Sequence, residues 1–129
     1  MSFHIFHSWE EQQAVGTGAF IEIQFCKLPI GTETKEIVSV DSITNRKKDS
    51  LYIFEENMFY KEYRSIFHHG IYNNMRCGTV DIYGINYYAP SLLDPMITQL
   101  QKQNPVDYKT LTEWLIKAKA FNGFYILGI

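Results

Sequence analysis

Residues 79–88 read TVDIYGINYY, and this run carries three tyrosines and two isoleucines around a single Asp81 and a single Gly84. Aromatic and β-branched residues favour strands, and a glycine inside a strand pattern often marks a β-bulge. A bulge at Gly84 places four apolar side chains on one face of the predicted strand: Val80, Ile82, Ile85 and Tyr87. Asp81 and Tyr83 are then left on the opposite face, where they contact solvent or a partner.

Two helices are predicted downstream of this strand. The first has Ser91 as its N-cap and Asp94 in the capping-box position. Its apolar side consists of Leu92, Leu93, Met96, Ile97 and Leu100. The second begins at Asp107 or at Thr110, where a T-x-x-E capping box starts, and the Asn-Gly pair at 122–123 ends it. Its apolar stripe consists of Leu111, Trp114, Leu115 and Ala118.

Three strands and a helix are predicted upstream of residue 70. The alternating polarity of residues 19–26 (AFIEIQFC) indicates a half-buried strand. Two further strands are predicted at residues 36–43 (EIVSVDSI) and 51–54 (LYIF). A helical face over 58–67 follows them and stops at Gly70. Residues 9–15 form either a short helix or a loop.

The chain ends in FYILGI (124–129), an apolar run of strand character. An exposed sheet edge of that composition invites aggregation, so we expect it to be an inner strand. Strands therefore come in a run and helices are grouped, which favours an α+β fold. We expect one domain over residues 1–129, with a mostly antiparallel sheet and the two C-terminal helices packed on it.

Composition narrows the classes of function. The formal net charge of −2 argues against a nucleic-acid binder, because such proteins usually carry a basic excess. The N-terminal MSFHIFHSW has no basic n-region and no sustained apolar run, so it is not a secretory signal. No stretch approaches the roughly 18 apolar residues of a membrane span. We therefore expect a cytoplasmic protein without a membrane partner.

The charge is unevenly distributed along the chain. Residues 1–60 hold five bases and nine acids, which gives 5 − 9 = −4, whereas residues 61–129 hold seven bases and five acids, which gives 7 − 5 = +2. The acidic N-terminal half either faces a basic partner or is simply a solvated surface. Cys26 and Cys77 lie in apolar, strand-like contexts and are expected to be buried, reduced thiols, with a disulfide left open.

No motif for catalysis, metal binding or cofactor binding stands out, so we expect a non-enzymatic protein. Adjacent side chains on a helix point about 100° apart, so His68 and His69 are poorly placed to share a metal. One alternative is a small hydrolase or transferase that uses His68 or His69 with Cys77, which requires these side chains to lie close together. Another is a ligand-binding accessory domain with an aromatic-lined cavity.

Three C-terminal stretches carry a resemblance: DIYGINYYAP (81–90), PVDYKTLTEWL (105–115) and NGFYILGI (122–129). Over residues 78–129 the chain resembles immunity proteins that bacteria encode beside polymorphic toxins, of the contact-dependent growth inhibition type. The resemblance implies a small, cytoplasmic, non-enzymatic protein that binds a cognate toxin domain, commonly a basic nuclease. It implies that binding blocks the toxin's active site or its substrate approach. No binding residue is carried over by motif.

A binding surface for such a toxin is predicted from residue type. Acidic side chains can replace the nucleic-acid phosphates that a nuclease expects, and tyrosines are common interface anchors. The acidic candidates are Glu10, Glu11, Glu33, Glu36, Glu55, Glu56 and Asp81. The candidate anchors are Tyr60, Tyr63 and Tyr83, from a larger set of tyrosines that includes Tyr87 and Tyr88.

Overall fold

A computed structural model describes residues 3–5, 20–44 and 47–128. They form a six-stranded antiparallel sheet in the order β2-β1-β6-β5-β3-β4. The strands are β1 (Ile21–Phe25), β2 (Leu51–Ile53), β3 (Gly70–Tyr72), β4 (Cys77–Gly78), β5 (Ile85–Tyr88) and β6 (Phe124–Gly128). The helices are α1 (Thr34–Ile37), α2 (Glu56–Tyr63), α3 (Leu93–Gln103) and α4 (Tyr108–Ala118), with short 3₁₀ helices at Val40–Ser42 and Pro90–Leu92. The predicted α+β fold is confirmed.

The C-terminal strand β6 lies in the middle of the sheet, as expected. It pairs with β1 from Phe25↔Phe124 to Ile21↔Gly128, and with β5 from Tyr88↔Phe124 to Ile85↔Leu127. Four of its five residues are buried. Its apolar composition therefore has a physical cause, because both faces and both edges of this strand are covered.

The first face of the sheet is covered by α2, α3 and α4, which form the main core with it. The ring of Trp114 on α4 stacks on Phe25 of β1 at 4.0 Å between centroids, and Phe67 packs against Tyr88 and Phe124. The two C-terminal helices do pack on the sheet as predicted. Neither capping box forms: α3 follows a 3₁₀ turn without a side-chain cap, and α4 begins at Tyr108, before Thr110.

The second face is covered by the segment that contains α1, and here the predicted strand over 36–43 is wrong. Consecutive residues Ile37 and Val38 are both buried against this face, which a strand crossing with alternating side chains would not allow. Ser39 Oγ accepts from Asp41 N (3.3 Å) and Ser42 Oγ donates to Glu36 O (2.6 Å). Such local bonds give the backbone an alternative to a sheet ladder.

The strand β1 is buried on both faces, not half-buried. Glu22 is fully buried, and its carboxylate accepts from Ser50 Oγ (2.7 Å), Lys47 N (3.0 Å) and Gln24 Nε2 (3.0 Å). These bonds offset the cost of removing a polar side chain from water. The alternating polarity of this strand thus marks a buried polar cluster on one face and not a solvent-facing side.

The region from 55 to 78 contains a shorter helix than predicted and a hairpin that the sequence did not indicate. The helix α2 ends at Tyr63, and Gly70 begins β3 instead of ending the helix. A Cβ on Gly70 would lie 2.8 Å from the ring of Tyr88, so the glycine allows the strand to pass close to this tyrosine. The hairpin partner of β3 is the two-residue strand β4.

Candidate partner-binding surface

Residues 81–84 form a tight turn and not the bulged strand that we predicted. The carboxylate of Asp81 accepts from Tyr83 N (3.0 Å), and the carbonyl of Asp81 accepts from Gly84 N (3.3 Å). A Cβ on Gly84 would lie 2.7 Å from Asp81 Oδ2, so a larger residue there would displace the Asp81 carboxylate. Because the turn intervenes, Val80 packs in the main core on the first face while Ile85 and Tyr87 pack on the second.

Asn86 fastens this turn to the centre of the sheet. The side chain is fully buried; its Oδ1 accepts from Asp81 N (2.8 Å), and its Nδ2 donates to Asp81 O (2.8 Å) and to Ile126 O (2.9 Å). At the far end of the turn, Gly128 N donates to Gly84 O (2.9 Å). The turn is therefore joined to β6 at two points, although it lies outside the strands.

Tyr83 stands out from this rigid turn. Its side chain is 74% exposed, whereas most of the other described tyrosines are buried or half-buried. The neighbouring Asp81 is exposed as well. The sequence-based expectation that Asp81 and Tyr83 face away from the core is confirmed, although a turn, and not strand alternation, places them there.

The N-terminus of α2 lies at the same end of the sheet as the turn. Ile53, Ile21 and Gly128 are aligned across β2, β1 and β6, and Gly128 is bonded to Gly84. Adjacent strands are about 4.8 Å apart, so Ile53, which ends β2 two residues before Glu55, and Gly84 of the turn are separated by about 15 Å. Both fit within one protein interface of ordinary size. We call this region the turn surface: Glu55, Glu56, Tyr60, Asp81 and Tyr83.

Tyr60 is the aromatic member of the turn surface on α2. It is half-buried against the main core, as is Ile82 of the turn, and the Arg64 guanidinium lies 5.5 Å from its ring centroid. Burial raises the pKa of the neighbouring Tyr72 phenol above its ordinary value, and the charges of Asp81 and Tyr60 add to this shift. Tyr60 and Ile82 of the turn thus both pack on the first face of the sheet.

The predicted acidic residues do not form one patch. At the opposite end of the sheet, Phe25 pairs with Phe124, and the chain continues from there into the segment that carries α1. Glu33 and Glu36 are exposed on that segment, which covers the second face. Glu55 and Glu56 begin α2, which covers the first face. Glu10 and Glu11 lie outside the described residues.

Three of the tyrosines that we considered for a surface belong to the core. Tyr63 is fully buried and its hydroxyl donates to Val106 O, so it cannot act as a surface anchor, contrary to our prediction. Tyr87 and Tyr88 are also buried; Tyr87 donates to Asn122 O (2.8 Å). Burial is the main cause that raises the pKa of Tyr87 to about 12, and it raises the pKa values of Tyr63 and Tyr88 as well.

The residues of the hydrolase alternative are divided between the two faces of the sheet. His68 and His69 line an open groove on the side of the main core, next to α3. Cys77 pairs with Ile71, whose side chain packs on the second face, so the thiol projects to that side. Cys77 is exposed, not buried as expected, while Cys26 is buried; both are free thiols. This arrangement gives a Cys-His pair no support.

Among residues 3–5, 20–44 and 47–128, no group of three or more His, Cys, Asp or Glu side chains is placed to hold a metal ion. No helix in the same part of the chain is long and apolar enough to cross a membrane. No protein-family model, curated protein or solved structure matches this chain. Its function is therefore argued from the geometry of the turn surface and from the resemblance in its C-terminal half.

Proposed function

We propose that the chain is a cytoplasmic immunity protein that binds a cognate toxin domain and blocks its active site or substrate approach. The observation that carries the proposal is Tyr83, which is held 74% exposed on a turn that a buried asparagine fastens to the sheet. The resemblance of residues 78–129 to immunity proteins includes this turn. The protein acts by binding and carries out no chemical step.

An exposed tyrosine on an ordered turn is well suited to anchor an interface. Tyrosine has a large contact area and only two side-chain torsions, so little conformational entropy is lost when it binds. Its turn is already ordered by the hydrogen bonds of Asp81 and Asn86, which reduces the cost further. Residues of this type, inserted in a pocket of the partner, carry most of the binding energy in many interfaces.

The charge of the turn surface defines the kind of toxin that it fits. Asp81 and Glu55 are exposed and Glu56 is partly exposed, so three carboxylates stand against the guanidinium of Arg64, which lies beside Tyr60. A nuclease presents basic side chains to the phosphates of its substrate, and carboxylates on an inhibitor can bind in their place. We therefore assign the partner as a basic toxin domain, most simply a nuclease.

Charge reversal at both acidic groups tests this assignment. The toxin candidate is the product of the gene directly upstream, purified in complex with the chain. We expect Glu55→Lys/Glu56→Lys to weaken binding by roughly ten- to a hundredfold at low salt and by less at high salt, because exposed charges are screened. The matched control is Glu33→Lys/Glu36→Lys, which reverses two exposed acids at the other end of the sheet.

The possible outcomes distinguish an error in the assigned surface from an error in the proposed function. An unchanged affinity of the Glu55→Lys/Glu56→Lys variant at both salt concentrations would show that the turn surface is the wrong one. A larger loss in the control variant would move the interface to the α1 segment. Absence of any complex with the wild-type chain would remove the immunity proposal itself. Urea unfolding of each variant is required, because carboxylates at a helix N-terminus also stabilise the helix.

A further inference from the structure

A groove on the side of the main core is not used by the proposed function. It lies between α3 and the residues that follow α2, and has a volume of about 370 Å³. Its floor is apolar and is formed by Ile66, Leu92, Pro95 and Met96, of which Ile66 and Met96 belong to the core. A volume and lining of this kind are typical of sites for small molecules.

The polar side chains of the groove are those of Ser65, His68, His69 and Gln99, and the two adjacent histidines supply ring nitrogens. His68 and His69 both line it, with ring centroids 6.0 Å apart. His68 Nδ1 lies 3.3 Å from Thr79 Oγ1, which orients the ring and leaves its Nε2 for another partner. His69 has φ of 63°, a conformation that is uncommon for residues other than glycine and is often found at functional sites.

The absence of carboxylates among the described lining residues and the presence of imidazole N–H donors favour an anion. No Asp, Glu, Lys or Arg is among the described residues that line the groove, so the two histidines are its ionisable groups. The nearby Asp94 of α3 is paired with Lys119 at 2.5 Å and does not line it. Imidazoles donate N–H bonds of about 2.8 Å to carboxylate oxygens, so two rings at this spacing can bind one carboxylate together.

We propose that this groove binds a small monocarboxylate with an apolar chain. The carboxylate is bound by His68 and His69, and the hydrocarbon chain lies along Leu92, Pro95 and Met96. A uniformly polar molecule does not fit the same lining, because it would leave the apolar floor without a hydrocarbon partner. The site is separate from the turn surface, so this proposal stands or falls independently of the immunity function.

The test uses the chain alone, with octanoate and octan-1-ol as probes of equal chain length. Backbone amide NMR spectra of the folded protein are recorded during titration with each probe. We expect saturable octanoate binding with a Kd on the order of 0.1–1 mM, and roughly tenfold weaker binding of the alcohol. The shifted amides are expected at residues 65–69 and 92–99.

Two variants test whether the histidines bind the carboxylate and whether both probes occupy the groove, and a third variant is a control. In His68→Gln/His69→Asn, octanoate is expected to bind as weakly as octanol; asparagine is chosen because it tolerates the positive φ at 69. Ser65→Phe introduces a ring at an exposed position of the lining and is expected to abolish binding of both probes. Gln101→Leu changes a different groove, between α3 and α4, and is expected to leave both affinities unchanged.

Several results would overturn the proposal. One is no saturable octanoate binding below about 10 mM while the amide spectrum shows a folded chain. Equal affinity for octanoate and octanol, or an octanoate preference that survives in His68→Gln/His69→Asn, would remove the histidines from the site. Shifts confined to residues outside 65–69 and 92–99 would place the ligand elsewhere. The single variant His68→Gln decides the question if the double variant does not fold.

Discussion

At the scale of single residues, Asn86 holds the exposed turn in place. Its three side-chain hydrogen bonds all go to backbone groups. Two of them are made with the N–H and the carbonyl of Asp81, the first residue of the turn. The third reaches Ile126 in the central strand. This buried amide is costly to remove, because the buried carbonyl of Ile126 would lose its bond without gaining water and the turn would lose both bonds that hold Asp81.

We predict that Asn86→Ala lowers the free energy of unfolding by about 2–4 kcal/mol, measured by urea denaturation. The matched control is Asn73→Ala, an exposed asparagine in the β3–β4 connection, which should change stability by less than about 0.5 kcal/mol. A loss below about 0.5 kcal/mol for Asn86→Ala would mean that the turn does not depend on this residue.

Individual exposed positions could be predicted only in part. The predicted bulge at Gly84 assigned Asp81 and Tyr83 to the surface; their exposure is confirmed, but a turn and not a bulge is its cause. Tyr63 was assigned wrongly, although the signal was present: it lies four residues after Phe59, on the apolar face of the predicted helix. The burial of its hydroxyl depends on Val106, which is distant in sequence, and no local pattern reveals such a partner.

At the scale of elements, the entry into β6 requires glycine. Gly123 has φ of 79°, and a Cβ there would lie 2.1 Å from the backbone oxygen of Tyr88. Two costs therefore combine at this position, a strained backbone conformation and a steric clash with β5. Gly31 offers a comparison, because its φ is 96° and no atom lies within 4 Å of the place of its Cβ.

We predict that Gly123→Ala lowers the free energy of unfolding by more than about 3 kcal/mol, whereas Gly31→Ala costs about 1 kcal/mol from backbone strain alone. Thermal and urea unfolding measure the loss of stability in each variant. Because both positions have a positive φ, the difference between the two losses is the cost of the steric clash. Equal losses in the two variants would contradict the close contact between Gly123 and β5.

Elements with long apolar patterns could be predicted, and short ones could not. The stripe of α4 and the apolar run of β6 are each strong enough to identify the element. The strands β3 and β4 have only three and two residues, too few for alternation to be detected. The α1 segment was read as a strand because of its β-branched residues, but its serines bond to the local backbone.

At the scale of the whole molecule, buried tyrosines make stability sensitive to alkaline pH. Burial raises the pKa of Tyr87 to about 12 and raises the pKa values of Tyr63, Tyr88 and Tyr125 from the ordinary 10.0. In the unfolded chain these phenols ionise near pH 10, whereas in the folded chain they stay protonated to higher pH. Their contribution is therefore complete below about pH 10 and is lost as the pH rises above it.

We predict that the free energy of unfolding falls above about pH 10, by up to about 1.4 kcal/mol per pH unit for each of these phenols. Urea denaturation at increasing pH, with tyrosinate absorbance recorded in parallel, measures this loss. Tyr87→Phe should cost about 1 kcal/mol at neutral pH, since its bond to Asn122 O is lost, and should reduce the alkaline slope. A stability unchanged between about pH 9 and pH 11 would contradict the burial of these hydroxyls.

The arrangement of the acidic residues also belongs to this scale, and it was beyond sequence reasoning. Glu33 and Glu36 are as acidic in the sequence as Glu55 and Glu56, but the sheet separates the two pairs. Strand order, which determines which loops share an end of the sheet, depends on long-range pairing between β6 and both β1 and β5. Two acidic surfaces therefore take the place of the single predicted patch, and the exposed Tyr83 on its hydrogen-bonded turn favours the surface that contains it.

The most direct measurement is growth of bacteria that express the product of the gene directly upstream, with and without this chain. We predict that the wild-type chain and Tyr83→Phe restore growth. Tyr83→Ala should remain folded but restore growth poorly, with its affinity for the toxin lowered by about 2 kcal/mol, close to thirtyfold. Ile116→Ala, an exposed apolar position on α4, serves as the control and should rescue fully.

An upstream product that is harmless alone, or toxicity that the wild-type chain does not relieve, would contradict the immunity function. Full rescue by Tyr83→Ala would contradict the turn surface.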